Sequence, residues 1–487
     1  MTRLPPFLYF LHELKRRGVA DAWLVGGVVR DLLLERDPMD VDIVCGEADA
    51  ETLVAKVGGA VVGRPPFYTV STSLPGPPPG GCPEPSGVAP SDRHDEAERA
   101  EPERMQKFDS PSMEITLLTG GSIQKDLGRR DFTINALAMD IDGQIIDPFG
   151  GARDIRRRVL RVVPAPGASP CEVYEADPVR VVRLLRFACT LGFEIDFETE
   201  ALTKKFIREH RPALENIPGE RYGKEFLKGF ASRPCDFLTL LENYGLLPTL
   251  LPEIEAMRGV EQPAAFHPEG DVLAHTFRVA AEAQKAIGTR PDKQDIVLAL
   301  AALLHDVGKP GSVRAHPKYE RVCFFGHEQA GEQMAADMLT AWAVPGKIAE
   351  QVASLVRRHM LPGGDFTERT CVKLLRQMGA DAERLFDLAL CDVRGAMGTG
   401  ENILSARKLF RKVRDNLASG PARRWLDGND VMDILQIPPG RQVGRILEEL
   451  DVAIGAGKLR TRDEAVEWLR HMYPFKPHTP DFAGAGE

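Results

Sequence analysis

Three features that would place the chain in a specialised class of protein are missing from it. Its eight cysteines are scattered and form no C-x-x-C pair, which argues against a disulfide scaffold or a structural zinc site and favours reduced thiols. No apolar run approaches the length of a membrane span. The first residues are too charged for a signal peptide and predict a short helix. We therefore expect a cytoplasmic protein with no membrane partner.

An excess of positive charge is also absent. The formal net charge is −9 at pH 7, which excludes a protein that binds nucleic acid over its whole surface. Any polyanion must therefore meet a local basic face. Five arginines within residues 153–161 provide such a face for a phosphate backbone, although arginines on a solvated helix are the alternative interpretation.

The remaining composition is that of an ordinary globular protein. With 487 residues, 43% hydrophobic and 27% charged, the chain has room for about two to four domains. We predict an α+β fold: a head with a small mixed sheet at residues 1–150, followed by helical parts at 151–265, 266–395 and 396–487. Residues 74–104 are rich in proline and glycine and then in acid, which predicts a disordered insertion in the head.

Local patterns predict the main elements of the head and of the part that follows. The segments "AWLVGG", "DVDIVC" and "SMEITLLT" are typical of strands, and a hairpin is predicted to turn at Asp142-Gly143. Further along, apolar residues recur at i, i+3, i+4 and i+7, which predicts an amphipathic helix through Val181, Leu184, Leu185 and Ala188.

The stretch "LVGGVVRDLLLERDPMDVD" contains an Asp-x-Asp pair, Asp40 and Asp42. Residues two apart on a strand point to the same face, and carboxylates are the ligands that Mg²⁺ prefers. Nucleotidyl transfer requires two such metal ions. Glu114 on a neighbouring predicted strand is the best candidate for a third catalytic carboxylate. A solvated loop for the pair, and a solvated strand residue for Glu114, are the alternatives.

The glycine pair ahead of these aspartates has a possible role of its own. Gly26 and Gly27 precede a predicted helix start, where bare N–H groups favour the anionic oxygens of a triphosphate. Arg30 adds positive charge, and Asp31 is placed to fix the turn. A plain strand-to-helix turn is the alternative for the glycine pair taken alone.

Four segments of the chain, in the order in which the family has them, resemble the class II tRNA nucleotidyltransferase and bacterial poly(A) polymerase family. The resemblance implies a polymerase-beta-like nucleotidyltransferase head that uses Mg²⁺, with CTP, ATP and tRNA as partners. It also implies a helical neck at residues 151–265 that binds nucleotide and tRNA. The segments are "GGVVRDLLLERDPMDVDIV", "RRDFTINALAMD", "DPFGGARDI" and "ADPVRVVRLLRFACTLGF".

Carried over residue by residue, the resemblance implies that Asp40 and Asp42 bind metal and that residues of the second and fourth segments bind nucleotide. The glutamate that usually precedes the aspartate of the fourth segment is Ala176 here. The aspartate and arginine of that segment are expected to share a helix face and to read the Watson–Crick edges of cytosine and adenine. The nucleotide-binding residues expected from both segments are Arg129, Arg130, Asp131, Asn135, Asp177, Arg180 and Arg183.

A second set of residues points to a different metal site. Imidazole and carboxylate ligands suit Ni, Mn, Fe or Zn, and such a metal lowers the pKa of bound water for attack on phosphorus. With the lead-in "LPEIEAMRGVEQPAAFHPEGDVLAHT", the set resembles the HD phosphohydrolase superfamily as it occurs fused to bacterial CCA-adding enzymes. A purely structural HD fold is the alternative. The candidate ligands are His275, His305, Asp306, His327, His359 and Asp392.

The resemblance extends to the end of the chain and leaves the products of the enzyme open. In those relatives, the HD domain removes phosphates from nucleotide ends or opens 2′,3′-cyclic ends, and a helical tail like residues 396–487 holds tRNA. CCA addition is the first hypothesis. A poly(A) polymerase or a specialised CC- or A-adding enzyme is the second, because the short stretch between Glu114 and Arg129 favours restricted, CC-type addition. A metal-dependent nucleotide hydrolase or an RNA-binding protein with an inert head is the hypothesis from another class.

Overall fold

The computed structural model describes residues 7–19, 21–38, 40–64, 67–73, 112–164, 171–231, 233–288, 295–318, 321–418 and 425–474. The chain divides into two compact units, Met1–Ile217 and Pro218–Glu487. The predicted insertion at 74–104 lies outside the described residues.

A mixed sheet forms the centre of the first unit. Its strands follow the order β3-β4-β5-β2-β1-β6-β7, and among their described pairings only that of β2 with β5 is parallel. The three predicted strands are confirmed as β1, β2 and β5, and the predicted hairpin as β6 and β7. The strands are β1 (Ala22–Val25), β2 (Val41–Cys45), β3 (Ala60–Arg64), β4 (Phe67–Ser73), β5 (Ser112–Leu117), β6 (Ala138–Met139) and β7 (Ile145–Ile146).

Alternating burial fixes the position of β2 in this sheet. Val41 and Ile43 are buried, and the half-buried Asp42 lies between them. In β5, Met113 and Ile115 are buried on either side of the exposed Glu114. Since side chains alternate between the two faces of a sheet, these four apolar residues cover one face, and Asp42 and Glu114 lie on the other, where Val44 is buried in a separate apolar cluster.

Helices surround the sheet and complete the first unit. The predicted amphipathic helix is confirmed as α7, in which Val181, Leu184 and Leu185 are buried and Ala188 is half-buried. Two short strands, β8 (Val159–Leu160) and β9 (Glu194–Ile195), pair in parallel within this helical part. The helices are α1 (Leu8–Arg16), α2 (Gly27–Leu33), α3 (Ala50–Val57), α4 (Ile123–Leu127), α5 (Gly151–Arg157), α6 (Glu172–Ala176), α7 (Val179–Leu191), α8 (Phe197–Glu209) and α9 (Arg211–Glu215).

The second unit is helical apart from the hairpin of β10 (Arg314–Ala315) and β11 (Val322–Cys323), as far as its described residues show. A helix that is apolar on all sides must be surrounded by others, and the "IVLALAALL" helix α15 is buried along almost its whole length. Its first helices are α10 (Gly219–Phe230), α11 (Pro234–Asn243), α12 (Leu247–Leu250), α13 (Pro252–Glu255), α14 (Val272–Gly288), α15 (Ile296–Leu304), α16 (His327–Ala341), α17 (Gly346–Arg358), α18 (Glu368–Met378) and α19 (Ala382–Gly395).

The last helices of the second unit enclose an apolar core of their own. Leu435, Ile446, Leu450 and Leu469 belong to it, each no more than 6% exposed. None of the described helices of either unit is both long enough and apolar enough to span a membrane. The last helices are α20 (Glu401–Ala418), α21 (Gly428–Leu435), α22 (Arg441–Gly455) and α23 (Arg462–Met472).

Candidate functional site

The first candidate site lies on the sheet of the first unit, where β2 and β5 pair in parallel and Asp42 is opposite Glu114. Side chains at paired positions of adjacent strands point to the same face, and such strands are ~4.8 Å apart. Asp40 directly precedes β2 and is exposed, as is Glu114. The structure therefore brings two of the three predicted carboxylates side by side, with the third two residues away along the chain.

A glycine turn connects β1 to α2 close to these residues in the sequence. Gly26 has a φ of +68° and a ψ of −120°, which residues with a Cβ rarely adopt. A methyl group at this position would lie 2.7 Å from a guanidinium nitrogen of Arg130. The Gly26 N–H donates to the carbonyl of Leu137 at 3.0 Å, so the expectation of a bare N–H is wrong for Gly26. Gly27 begins α2, where the first N–H groups of a helix lack partners within it.

A chain of hydrogen bonds joins four of the predicted nucleotide-binding residues. Arg30 donates to Asn135 Oδ1 at 2.8 Å, and Asn135 donates to Asp131 Oδ1 at 3.0 Å. Arg183 donates to the other oxygen of Asp131 at 3.1 Å. Burial alone would raise the pKa of Asp131, but Arg183 and the Asn135 amide outweigh burial and hold that pKa below its ordinary value. An ionised Asp131 therefore orients residues from three separate segments of the chain.

Asp177 precedes α7 instead of sharing a helix face with Arg180. Pro178 follows it, and the residue before a proline is disfavoured in helical conformation. Asp177 has a φ of −159° and a ψ of 96°, and its side chain accepts a hydrogen bond from the N–H of Val179 at 3.3 Å. Arg180 donates to the carbonyl of Arg129 at 2.9 Å. The predicted helix-face geometry is wrong, although the two residues remain three positions apart at the start of α7.

The other basic residues of the first unit differ in exposure. Arg129 is exposed, whereas Arg130 is half-buried and its Nε is buried without a hydrogen-bond partner. Within 153–161, Arg161 lies 3.3 Å from Asp154 and 3.2 Å from Asp196. The other four arginines of the cluster are exposed, so this part of the surface has the basic character predicted for it. They are Arg153, Arg156, Arg157 and Arg158.

The second candidate site lies in the second unit, where helix ends converge. Among the described residues, three groups of three side chains offer nitrogen or oxygen atoms within 4.8 Å of one another, and two of these groups consist only of predicted ligands. One group comes from α14, the end of α15 and α19, and the other from the end of α15, the start of α16 and the end of α17. The first consists of His275, His305 and Asp392, and the second of Asp306, His327 and His359.

Hydrogen bonds at Nδ1 fix the tautomer of the imidazoles. Nδ1 of His305, His327 and His359 lies 2.8–3.0 Å from the carbonyl oxygen three residues earlier in the chain. Nδ1 of His275 lies 2.6 Å from Glu269 Oε1. Each Nδ1 therefore faces an oxygen acceptor, so Nε2 is the ring atom that faces the carboxylates and would ligate a metal in place of its own proton.

Asp306 lies between the two groups. Its Oδ2 is 3.2 Å from His305 Nε2 and its Oδ1 is 3.5 Å from His327 Nε2. Burial alone would raise the pKa of Asp306, but the neighbouring His305 and Lys309 hold that pKa well below its ordinary value. Oδ2 is buried as well and lies 2.7 Å from Lys309 Nζ. Buried carboxylate oxygens that face the Nε2 atoms of His305 and His327 form a donor set that fits a divalent cation between them.

The protonation of His359 and Asp392 suits the same interpretation. Burial lowers the pKa of His359 to about 4, so this imidazole is neutral at pH 7. Burial alone would raise the pKa of Asp392, but the bond with His275 at 3.0 Å and the nearby His305 hold that pKa far below its ordinary value. A neutral imidazole and an ionised carboxylate are the forms that bind a metal.

Two residues that the sequence did not single out support this site. The side chain of Glu269 is 1% exposed, and the same oxygen that accepts from His275 lies 2.9 Å from His267 Nδ1. The "HPEGD" segment had shown both residues, but a glutamate in a loop is usually solvated. Close packing adds a further constraint, because a methyl group at Gly308 would collide with the carbonyl of His327.

The profiles of three known domain families match the chain in sequence order. The poly A polymerase head domain matches residues 22–67 and 86–161. A segment described as the probable RNA- and SrmB-binding site of polymerase A matches residues 192–258. The HD domain matches residues 272–397, which include all six candidate ligands of the second site.

Whole proteins are similar over most of the chain. The A-adding tRNA nucleotidyltransferase of Deinococcus radiodurans is 32% identical over 71% of this chain and 78% of its own length. The multifunctional CCA protein of Vibrio campbellii is 31% identical over 82% of this chain and 91% of its own. The Bacillus stearothermophilus CCA-adding enzyme, solved in complex with CTP, has a TM-score of 0.59 at 25% identity, covering 96% of this chain and 98% of its own. The chain therefore belongs to the family of tRNA nucleotidyltransferases and poly(A) polymerases, and it carries an HD domain.

Proposed function

We propose that the chain adds nucleotides to the 3′ end of tRNA from CTP and ATP and so completes a CCA terminus. The observation that carries this proposal is the parallel pairing of Asp42 with Glu114, two residues beyond Asp40 in the chain. Similarity to tRNA nucleotidyltransferases over most of the chain supports it. Two carboxylates on one face of the sheet, with a third in the segment just before β2, are the kind of donor set that a metal-dependent transferase needs.

The three carboxylates would hold Mg²⁺, which activates the attacking hydroxyl and neutralises the triphosphate when bound. The 3′-hydroxyl oxygen of tRNA forms a bond to the α-phosphorus of the nucleotide, the bond to pyrophosphate breaks, and the hydroxyl proton is lost to solvent. The guanidinium of Arg130 approaches Gly26 and that of Arg30 approaches Gly27, and both would contact the phosphates. The Asp131 network holds Arg30 and Arg183 in position for this task.

Asp177 and Arg180 would select the base of the incoming nucleotide. Their side chains are occupied in this conformation, by the N–H of Val179 and by the carbonyl of Arg129. To bind, the hydrogen-bonding edge of an incoming cytosine or adenine would therefore have to replace these intramolecular partners. No template is needed, because the edges of the two side chains select the base.

The HD centre of the second unit would hydrolyse phosphoesters with a bound transition metal of the Ni, Mn, Fe or Zn class. When bound, such a metal lowers the pKa of water toward neutrality. Asp306 and the Nε2 atoms of the four imidazoles would hold it, together with Asp392. Lys309 Nζ lies 2.7 Å from Asp306 Oδ2, so its ammonium is placed to neutralise charge on a phosphate group.

A specialised A-adding enzyme is the second candidate for the head. The observation that favours it is the 32% identity to an A-adding tRNA nucleotidyltransferase over 71% of this chain. The short stretch between Glu114 and Arg129 favours the other specialised enzyme, which adds only CC. The two outcomes differ in which tRNA end is accepted.

Incubation with two tRNA transcripts tests the head. One ends before the CCA terminus and the other ends in CC, and each receives Mg²⁺ with separately labelled CTP or ATP, or both. We expect two cytidines and one adenosine on the first transcript and one adenosine on the second, because a single site reads both bases. Adenosine on the second transcript alone would select the A-adding enzyme, and CC on the first alone would select the CC-adding enzyme. No incorporation on either transcript would disprove the transferase.

Single substitutions separate the two centres. Asp40→Ala should reduce nucleotide addition to background and leave phosphoester hydrolysis unchanged, because it removes a metal ligand of the head only. His305→Ala should have the reverse effect. Rates of addition and of hydrolysis, measured on the same preparations, check both expectations. Unchanged hydrolysis in the His305→Ala protein would remove this residue from the second site.

Glu269→Gln tests the support of the HD centre. The amide keeps the shape of the side chain but loses the charge that orients His275, and losses of this kind lower metal affinity about 10–100-fold. Competition of the purified protein with a metal chelator, followed by elemental analysis, measures this affinity. Exposed Glu401→Gln is the matched control and should retain full affinity. Wild-type affinity in Glu269→Gln would contradict the role of this carboxylate.

A further inference from the structure

Two exposed phenylalanines flank the HD centre. Phe266 is 58% exposed and directly precedes His267, and Phe325 is 69% exposed and lies two residues before His327. Large apolar side chains are costly to leave in water. Two of them beside one candidate active site therefore call for a common explanation, and their connection to the centre indicates one.

Phe266 and Phe325 are linked by a continuous series of contacts. The Arg321 guanidinium lies 5.1 Å from the centre of the Phe266 ring. The carbonyl of Arg321 accepts a hydrogen bond from the N–H of His316 at 2.8 Å, and the His316 ring lies 6.0 Å from that of Phe325. The β10–β11 hairpin therefore holds two distant segments together as one surface, which we call the aromatic rim (Phe266, His316, Arg321 and Phe325).

Each end of the rim is joined to the metal-binding side chains. His267, next to Phe266, shares Glu269 with His275. The carbonyl of Phe324, next to Phe325, lies 2.8 Å from His327 Nδ1. The rim is therefore connected to both groups of candidate ligands through one or two intervening residues.

The charge beside the rim is mainly positive. Lys309 Nζ lies 2.8 Å from Gln262 Oε1 and 5.3 Å from the centre of the Phe324 ring. Arg314, Lys318 and Arg321 are exposed on the hairpin, whereas Glu261 is the exposed acid near Gln262 in the sequence. Basic groups that alternate with exposed aromatic rings are the combination with which proteins bind single nucleotides and unpaired ends.

We propose that the aromatic rim is a base-stacking subsite, which makes the HD centre select nucleoside phosphoesters over phosphoesters without a base. This inference rests on the proposed hydrolase function of that centre. Every base has a π-face, so a stacking subsite accepts purines and pyrimidines alike. With a 2′,3′-cyclic phosphate, the oxygen of water would bond to phosphorus and one ribose–oxygen bond to phosphorus would break. The released ribose oxygen takes up a proton.

Kinetics with matched substrates test the subsite. Adenosine and cytidine 2′,3′-cyclic phosphates carry a base, and glycerol 1,2-cyclic phosphate has the same ring without one. We expect Phe266→Ala and Phe325→Ala each to raise KM about tenfold for the two nucleoside cyclic phosphates, with kcat nearly unchanged. KM for the glycerol ester should stay at the wild-type value, and Phe266→Tyr should restore nucleoside KM. Val62→Ala, exposed on β3 in the other unit, is the control.

The source of the nucleotide is distinguished in the same assay. A tRNA transcript that ends in a 2′,3′-cyclic phosphate is compared with the free cyclic nucleotides. If KM rises equally for the transcript and for the free nucleotides in both Phe→Ala variants, the rim recognises the terminal base wherever it occurs. A rise in KM for only the transcript, or for only the free nucleotides, assigns the subsite to that source. A loss that is equal for glycerol ester and nucleosides, or absent for all, would overturn the proposal.

A binding measurement separates failure of the subsite from failure of the hydrolase. If the wild-type protein hydrolyses none of these esters with Ni²⁺ or Mn²⁺, the proposed activity is wrong. Calorimetric titration with adenosine 2′-monophosphate then decides on the rim. Binding that weakens about tenfold in Phe266→Ala would support the subsite, and equal binding by both proteins, or none by either, would overturn it.

Discussion

The head depends on the parallel register of β2 and β5. Val41 and Ile43 on one strand and Met113 and Ile115 on the other are buried, and a slip by one residue would exchange the buried and exposed faces of a strand. Such a slip would remove two large apolar side chains from their core and bring a carboxylate into it, each at a cost of about 1–3 kcal/mol or more. The hydrophobic core therefore dictates which acidic residues become neighbours.

A different constraint builds the HD centre. Its ligands come from segments as far apart as His275 and Asp392, and no local pattern aligns them as a strand does. Instead, helix ends meet around the buried helix α15, and three of the imidazoles are oriented by carbonyl oxygens of their own turns. The fourth uses the carboxylate of Glu269. Since a helix end leaves carbonyl groups without partners, the last turns of α15 and α17 supply two of these acceptors, and the turn before α16 supplies the third.

The sequence predicted much of the fold because alternating and helical patterns are local. The strands of Asp42 and Glu114 and the helix through Val181 were found in this way, and the order of motifs indicated the family. The details that were missed depend on partners distant in sequence or on a single neighbour. Glu269 acquires its role only when His275 packs against it, and Pro178 keeps Asp177 out of the helix. The N–H of Gly26 is taken by Leu137, whose approach no local pattern foretells.

The rate of nucleotide addition by Glu114→Gln tests the central claim most directly. Glu114 was selected for its strand and is paired with Asp42 in the structure, so it connects the fold to the chemistry. Ser71→Ala is the matched control, because Ser71 pairs with Glu114 from the opposite neighbour, β4. We expect kcat to fall about 100-fold or more in Glu114→Gln and to stay at the wild-type value in Ser71→Ala. A wild-type kcat in Glu114→Gln would contradict the account of the head as a three-carboxylate transferase.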